Sequence, residues 1–259
     1  MAPLAVVTGA SSGIGLALAR VFAEHGYDLV VAAWDAGIHA AADALRAAGR
    51  RVEAVEVDLA RPDGVDQLWA RVEATGRPAD AVAINAGVAV GGAFAETDLA
   101  AEVNLIELNV TSSVRLAKRA VQAMVARGAG RILVTSSISA AGPGPYTTIY
   151  SASKAFLLSF AEAIRYELRD TGVTVTALMP GVTETPIFAR SGMEDTRLAA
   201  APKTSAADVA RAGFDALMAG EARVVAGSPV EKLAVAVAPV TPDALKAAGA
   251  AVMTEPGSA

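Results

Sequence analysis

No cysteine occurs in the 259 residues of this chain, and histidine occurs only twice, as His25 and His39. The first absence excludes disulfides, thiolate metal centres and a cysteine nucleophile. The second leaves a zinc cluster or a serine–histidine–aspartate triad short of ligands or base, so no metal site is expected. His25 precedes Gly26 and reads as the end of a helix, where positive charge is favourable. A basic block is also missing. Lys and Arg number 22 against 27 Asp and Glu, a net charge of −5, and nucleic acid is not an expected partner. The N-terminus has no basic secretory start, and no apolar run reaches the length of a bilayer span; the stretch 233–240 is too short. A cytoplasmic protein without membrane contact is expected. The sequon Asn109-Val110-Thr111 is then a chance match.

What the chain has in quantity is short apolar segments. Hydrophobic residues make up 53% of it, enough for one sizeable core. Residues 4–8, 28–33, 52–57, 80–84, 131–136 and 173–179 read as strands buried on both faces, being short and rich in Val, Ile or Leu. A last strand is expected around Arg223-Val224-Val225-Ala226-Gly227. Helical patterns lie between, near 14–25, 38–48, 63–74, 99–126 and 150–170. This alternation predicts an α/β fold: one doubly wound domain of about seven mostly parallel strands with helices on both faces. Residues 1–227 are expected to form the domain, with a substrate loop over 182–203. Residues 228–259 are expected as a C-terminal extension that frays or packs on a partner subunit.

The first strand runs into Thr8-Gly9-Ala10-Ser11-Ser12-Gly13-Ile14-Gly15, and a helix follows. Gly9 suits a sharp turn, Gly13 lets backbone approach a pyrophosphate, and Gly15 lets helix and strand pack closely. The helix N-terminus offers free N–H groups and partial positive charge to phosphates. Further on come Asn85-Ala86-Gly87 after the fourth strand, Ser137 after the fifth, Tyr150-x-x-x-Lys154 on a helix, and Pro180-Gly181 after the sixth.

In this order, over roughly residues 3–190, these motifs resemble the short-chain dehydrogenase/reductase family. The resemblance implies a Rossmann-type catalytic domain, an NAD(H) or NADP(H) cofactor, and an oxidoreductase interconverting an alcohol and a ketone or aldehyde. It implies that Ser11, Ser12 and Ile14 line the phosphate turn beside the glycines. It sets Asp58 at the adenine amine, Leu59 beside the ring, and Asn85, Ala86 and Gly87 against the adenosine ribose. Pro180 and Gly181 would stand beside the nicotinamide, with Thr183 and Thr185 near its carboxamide or the phosphates. Asn109, Ser137, Tyr150 and Lys154 would be the catalytic set, Asn109 holding a water that links Lys154 to solvent.

The residues themselves fit that chemistry. Tyr150 and Lys154, four apart, share one helix face. A nearby ammonium is expected to lower the phenol's pKa, so that Tyr150 exchanges a proton with a carbonyl or an alcohol. Ser137, thirteen residues earlier, can stabilise charge on the substrate oxygen, although Ser136 and Ser139 stand close by. After the second strand come Trp34 and Asp35 rather than a cation; Asp35 would repel a 2′-phosphate and bind a ribose hydroxyl, so NAD is favoured over NADP. The substrate is expected to be a small carbonyl or alcohol of apolar character. Residues 138–148, with Tyr146 as a wall, and a lid carrying Ile187, Phe188 and Met193 would select it. The resemblance also implies a homodimer or homotetramer built on the helices near 110–126 and 150–170. A catalytically silent nucleotide sensor is the rival reading; the intact Ser137, Tyr150 and Lys154 argue against it.

Overall fold

The carboxyl ends of seven parallel strands define the working face. The computed structural model describes residues 2–259. Strands β1 (Leu4–Thr8), β2 (Asp28–Ala33), β3 (Val52–Glu56), β4 (Ala81–Ile84), β5 (Gly130–Thr135), β6 (Val173–Pro180) and β7 (Arg223–Ala226) form one sheet in the order β3-β2-β1-β4-β5-β6-β7. Every neighbouring pair is parallel, so the sheet is wholly rather than mostly parallel. The strands begin and end within one or two residues of their expected positions.

Between them the chain winds through α1 (Gly13–Glu24), α2 (Gly37–Ala47), α3 (Gly64–Ala74), α4 (Leu99–Ile106), α5 (Ser112–Arg127) and α6 (Thr148–Glu167). After β6 come α7 (Ile187–Ser191), α8 (Arg197–Ala200) and α9 (Ala206–Ala219), and after β7, α10 (Pro229–Val237) and α11 (Asp243–Thr254). Alternate strand residues feed two separate cores. Ala5, Val7, Leu29 and Val31 pack under α1, α2 and α9, whereas Leu4, Val6, Val30 and Ala32 pack under α3, α5 and α6. Covering both faces is what demands the apolar runs, because every side chain of β1 and β2 is buried. Chain order reverses between β1 and β4, and an open α/β sheet presents its ligand crevice at such a point.

Two expectations need correction. The single helix expected over 99–126 is two, joined through a wide π-type turn at Glu107–Thr111. Asn109 lies in that turn. Its Oδ1 accepts from Val88 N at 2.9 Å, and its Nδ2 donates to Val88 O at 2.9 Å and Ser153 Oγ at 3.1 Å. These bonds fix the turn from outside the helix, and local π-geometry of this kind is common at functional sites. The C-terminal extension, in turn, does not fray but packs on its own chain, while Val230, Leu233, Val240 and Leu245 stay exposed. Ser228 opens α10 with a reciprocal capping box to Glu231. Beyond α11, Gly257 N donates to Asp195 Oδ2 at 2.8 Å, and Arg197 donates to the Ser258 hydroxyl and carbonyl.

Candidate active site

One cavity of about 1050 Å³ opens across the carboxyl ends of β1, β4, β5 and β6. At one end lies the turn between β1 and α1. A Cβ on Gly15 would stand 2.1 Å from Gly9 O, so helix and strand meet at a distance that only glycine permits. Gly13 has φ +54°, and a Cβ there would stand 3.1 Å from the Thr185 side chain that leans over the turn. Ser12 is the N-cap of α1, yet its side chain makes no capping bond. The first N–H groups of α1 have no intrahelical partner and suit phosphate oxygens. Ser11, Ser12 and Ile14 line the cavity beside the glycines.

Behind the wall lies buried Thr8, to which the sequence reading assigned no role of its own. Its hydroxyl accepts from Asn85 N at 2.9 Å and Ala86 N at 3.0 Å, while Asn85 Nδ2 donates to Thr8 O at 3.0 Å. These bonds tie the end of β4 to β1 and present Asn85, Ala86 and Gly87 to the cavity. Trp34, Asp58 and Leu59 line the far end, with Trp34 exposed. Pro180, Gly181, Thr183 and Thr185 line the opposite side. A glycine-lined cradle over a free helix N-terminus, continuous with a slot for a planar ring, fits a dinucleotide. Asp35 sits differently from its expected place. It is absent from the lining, because its carboxylate accepts from Ser11 Oγ at 2.8 Å and Gly37 N at 3.0 Å.

The reacting end is built on α6 and the segment after β5. Tyr150, Lys154 and Ser137 all line the cavity. Ser136 lines it too, but its hydroxyl is committed, donating to Lys154 O at 2.7 Å. Ser137 Oγ accepts from Ser139 N at 3.1 Å, which fixes its rotamer. Lys154 Nζ lies 5.6 Å from the Tyr150 ring centroid and donates to Thr135 O at 3.0 Å. Asn109 stands behind this wall. A Cβ on Gly87 would lie 3.0 Å from Asn109 Oδ1 and 3.4 Å from Lys154 Nζ, so Gly87 is the gap across which the two approach.

The protonation equilibria reverse one expectation. Burial pushes the Tyr150 phenol up, with the adjacent Ser137 hydroxyl pulling the other way, so the net shift is upward rather than the lowering expected from Lys154. Burial also lowers Lys154, from 10.5 to about 8. In both groups burial disfavours the charged form.

The substrate end differs from expectation as well. Ile187, Phe188 and Met193 line the cavity as expected, Phe188 and Met193 forming a small apolar cluster with Ala89 and Val182. Tyr146 does not. It adopts φ +57°, its carbonyl accepts from Gly92 N at 2.8 Å, and its phenol donates to Glu255. Residues of the C-terminal extension take its place: Glu231, Leu245, Lys246 and Met253 line the cavity. The sequence carries one signal for this, the Ser228-x-x-Glu231 capping pattern that opens α10.

The sheet order and this crevice define a nicotinamide-dinucleotide oxidoreductase. The chain belongs to the short-chain dehydrogenase family, whose model matches residues 3–195. It acts on CH–OH groups with NAD or NADP. It is 37% identical over 187 residues to cis-4-hydroxycyclohexanecarboxylate dehydrogenase from Sinomonas cyclohexanicum, covering 72% of this chain and 75% of that one. It is 38% identical over 218 residues to 1-deoxy-11-beta-hydroxypentalenate dehydrogenase from Streptomyces exfoliatus, covering 82% and 78%. Among solved structures, a short-chain dehydrogenase from Sphingobium yanoikuyae in complex with NADPH superposes with a TM-score of 0.82 at 31% identity, covering 98% of this chain and 96% of that one.

Proposed function

We propose that this enzyme interconverts a secondary alcohol and a ketone on a largely apolar molecule, with Tyr150 as the group that gives and takes the proton. The observation that carries the reading is that Tyr150, Ser137 and Lys154 line the same cavity as Gly87 and Pro180-Gly181. When bound, the nicotinamide supplies or accepts a hydride. The chain's own residues do the rest. Ser137 donates a hydrogen bond to the substrate oxygen and stabilises charge developing there. Tyr150 protonates that oxygen during reduction and removes its proton during oxidation. Lys154 stabilises the phenolate when charged, and Asn109 with the π-type turn holds the backbone behind it. Gly9, Ser11, Ser12, Gly13, Ile14 and Gly15 hold the phosphates; Asp58, Leu59, Asn85, Ala86 and Gly87 hold the adenosine; Pro180, Gly181, Thr183 and Thr185 flank the nicotinamide.

NAD is favoured over NADP. The Asp35 carboxylate is bound to Ser11, which lines the cavity, and none of Ser11, Ser12, Trp34, Asp58 and Leu59 is a cation that a 2′-phosphate could pair with. Two relatives are dehydrogenases named for hydroxylated carboxylates, which supports an alcohol substrate. Leu99, Val103 and Ile106 on α4 and Phe156 on α6 are large, apolar and exposed, which supports a homodimer or homotetramer. Among the described residues no helix is long and apolar enough to cross a membrane, and a cytoplasmic enzyme fits the reading. The test is oxidation of NADH or NADPH against a panel of ketones. Tyr150→Phe should lower kcat by about 10²–10⁴-fold while dinucleotide binding, read by fluorescence, changes little. Unchanged turnover in Tyr150→Phe refutes the assignment.

A further inference from the structure

The charges lining the cavity are unevenly committed. Asp58 accepts from Ala60 N and lies at the far end from Tyr150. Lys154 is bound to Thr135 O. Glu231 is fully engaged: Oε1 accepts from Val182 N at 2.7 Å, and Oε2 accepts from Ser228 N at 2.6 Å and Ser228 Oγ at 2.8 Å. The two remaining charged residues of the lining, Arg190 and Lys246, are both cations. They stand on α7 and α11, among apolar side chains including Ile187, Phe188, Leu245 and Met253. Arg190 and Lys246 are the groups of this part of the lining that can pair with an anion on an apolar molecule, the Glu231 carboxylate being committed to neutral donors.

Of the two, Lys246 is the better placed. Its stem lies over Gly142, the residue that ends the short turn begun at Ser137; a Cβ on Gly142 would stand 2.9 Å from its Cδ. Its side chain is only 21% exposed, because the stem packs along the wall that Ser137 begins. Its one partner is Asp243 Oδ1 at 2.7 Å, a carboxylate 77% exposed one helical turn away. An exposed pair of this kind contributes little and exchanges readily for a ligand carboxylate.

We propose that Lys246 is a specificity-determining residue that reads an anionic group, a carboxylate, on the substrate body away from the reacting carbinol. The proposal rests on the dehydrogenase reading and adds the substrate class and the residue that selects it. A contact made equally in the bound and transition states acts on KM rather than on kcat.

The experiment compares cis-4-hydroxycyclohexanecarboxylate with its uncharged twin cis-4-methylcyclohexanol, and the matching ketones, in the full-length enzyme. Wild type should favour the acid. Lys246→Met, which keeps an apolar stem of similar length, should lower the ratio of kcat/KM for acid over twin by about 10–100-fold, through the KM for the acid, as expected of a lost charged contact. Lys246→Arg should restore most of the ratio. An unchanged ratio in Lys246→Met, or an equal loss on both compounds, overturns the proposal. So does a loss of ratio in Arg190→Met alone, which would move the anion to the lid. Turnover of uncharged ketones with no preference for acids overturns it and leaves the dehydrogenase reading standing. No turnover of any alcohol or ketone with either cofactor removes both.

Discussion

Lys154 is 5% exposed, its pKa is lowered from 10.5 to about 8 by burial, and the folded protein therefore carries a measurable electrostatic cost. At neutral pH the lysine is protonated in both folded and unfolded chains, and the shift corresponds to about 3 kcal/mol against folding. The sign follows from proton counting. Between about 8 and 10.5 the unfolded chain binds more protons than the folded one, so stability rises with pH across that window. By pH 9.5 the folded lysine is neutral and about 2 kcal/mol of the cost is recovered. For a domain of this size that is a rise in Tm of about 4–8 °C. Other groups titrate in the same range, so the assay compares wild type with Lys154→Met, both without dinucleotide, by thermal unfolding at pH 7, 8, 9 and 9.5. Wild-type stability minus that of the variant should rise by about 2 kcal/mol from the lowest to the highest pH. The ceiling of 9.5 keeps Tyr150 out of the measurement, because burial holds its phenol above the ordinary value of 10.0. Parallel pH curves for the two proteins would refute the argument that burial lowers the Lys154 pKa.

Three other expectations follow from the same geometry. Gly15→Ala puts a Cβ 2.1 Å from Gly9 O, and the turn must shift; dinucleotide binding by fluorescence titration should weaken by at least about 10-fold, equivalent to ~1.4 kcal/mol. Asp35→Asn keeps an oxygen for Gly37 N but removes the charge beside Ser11, and kcat/KM for NADP relative to NAD should rise by about 10-fold, ~1.4 kcal/mol; an unchanged ratio would place the selecting group elsewhere. Asp195→Ala removes the acceptor of Gly257 N, a bond of about 1 kcal/mol net, and hydrogen exchange over residues 187–200 should accelerate by about 5-fold.

The rhythm of this fold is local information. Buried parallel strands need unbroken apolar runs, and the helices between them need a 3.6-residue apolar stripe, so both periods are written in consecutive residues. The phosphate turn is also local, since Gly9, Gly13 and Gly15 act within eight residues of one another, and so is the one-turn spacing of Tyr150 and Lys154. That is why those parts are legible from the chain alone, whereas Ser137 is preferred to Ser136 only through the family resemblance. Packing between distant segments decided the rest. Asn109 leaves the regular helix because it must bond to Val88, twenty-one residues away. Asp35 turns toward Ser11 because α1 and α2 bring the two together. Tyr146 turns to Glu255 instead of lining the chamber, and the C-terminal extension becomes its wall, because Asp195, Arg197 and Pro145 bind residues 254–258. The pKa values belong to this class too, for a side chain's distance from water depends on everything folded around it. Periodicity along the chain determines which elements form; which side chains face the same cavity, and how deeply they are buried, is decided by contacts between residues far apart in sequence.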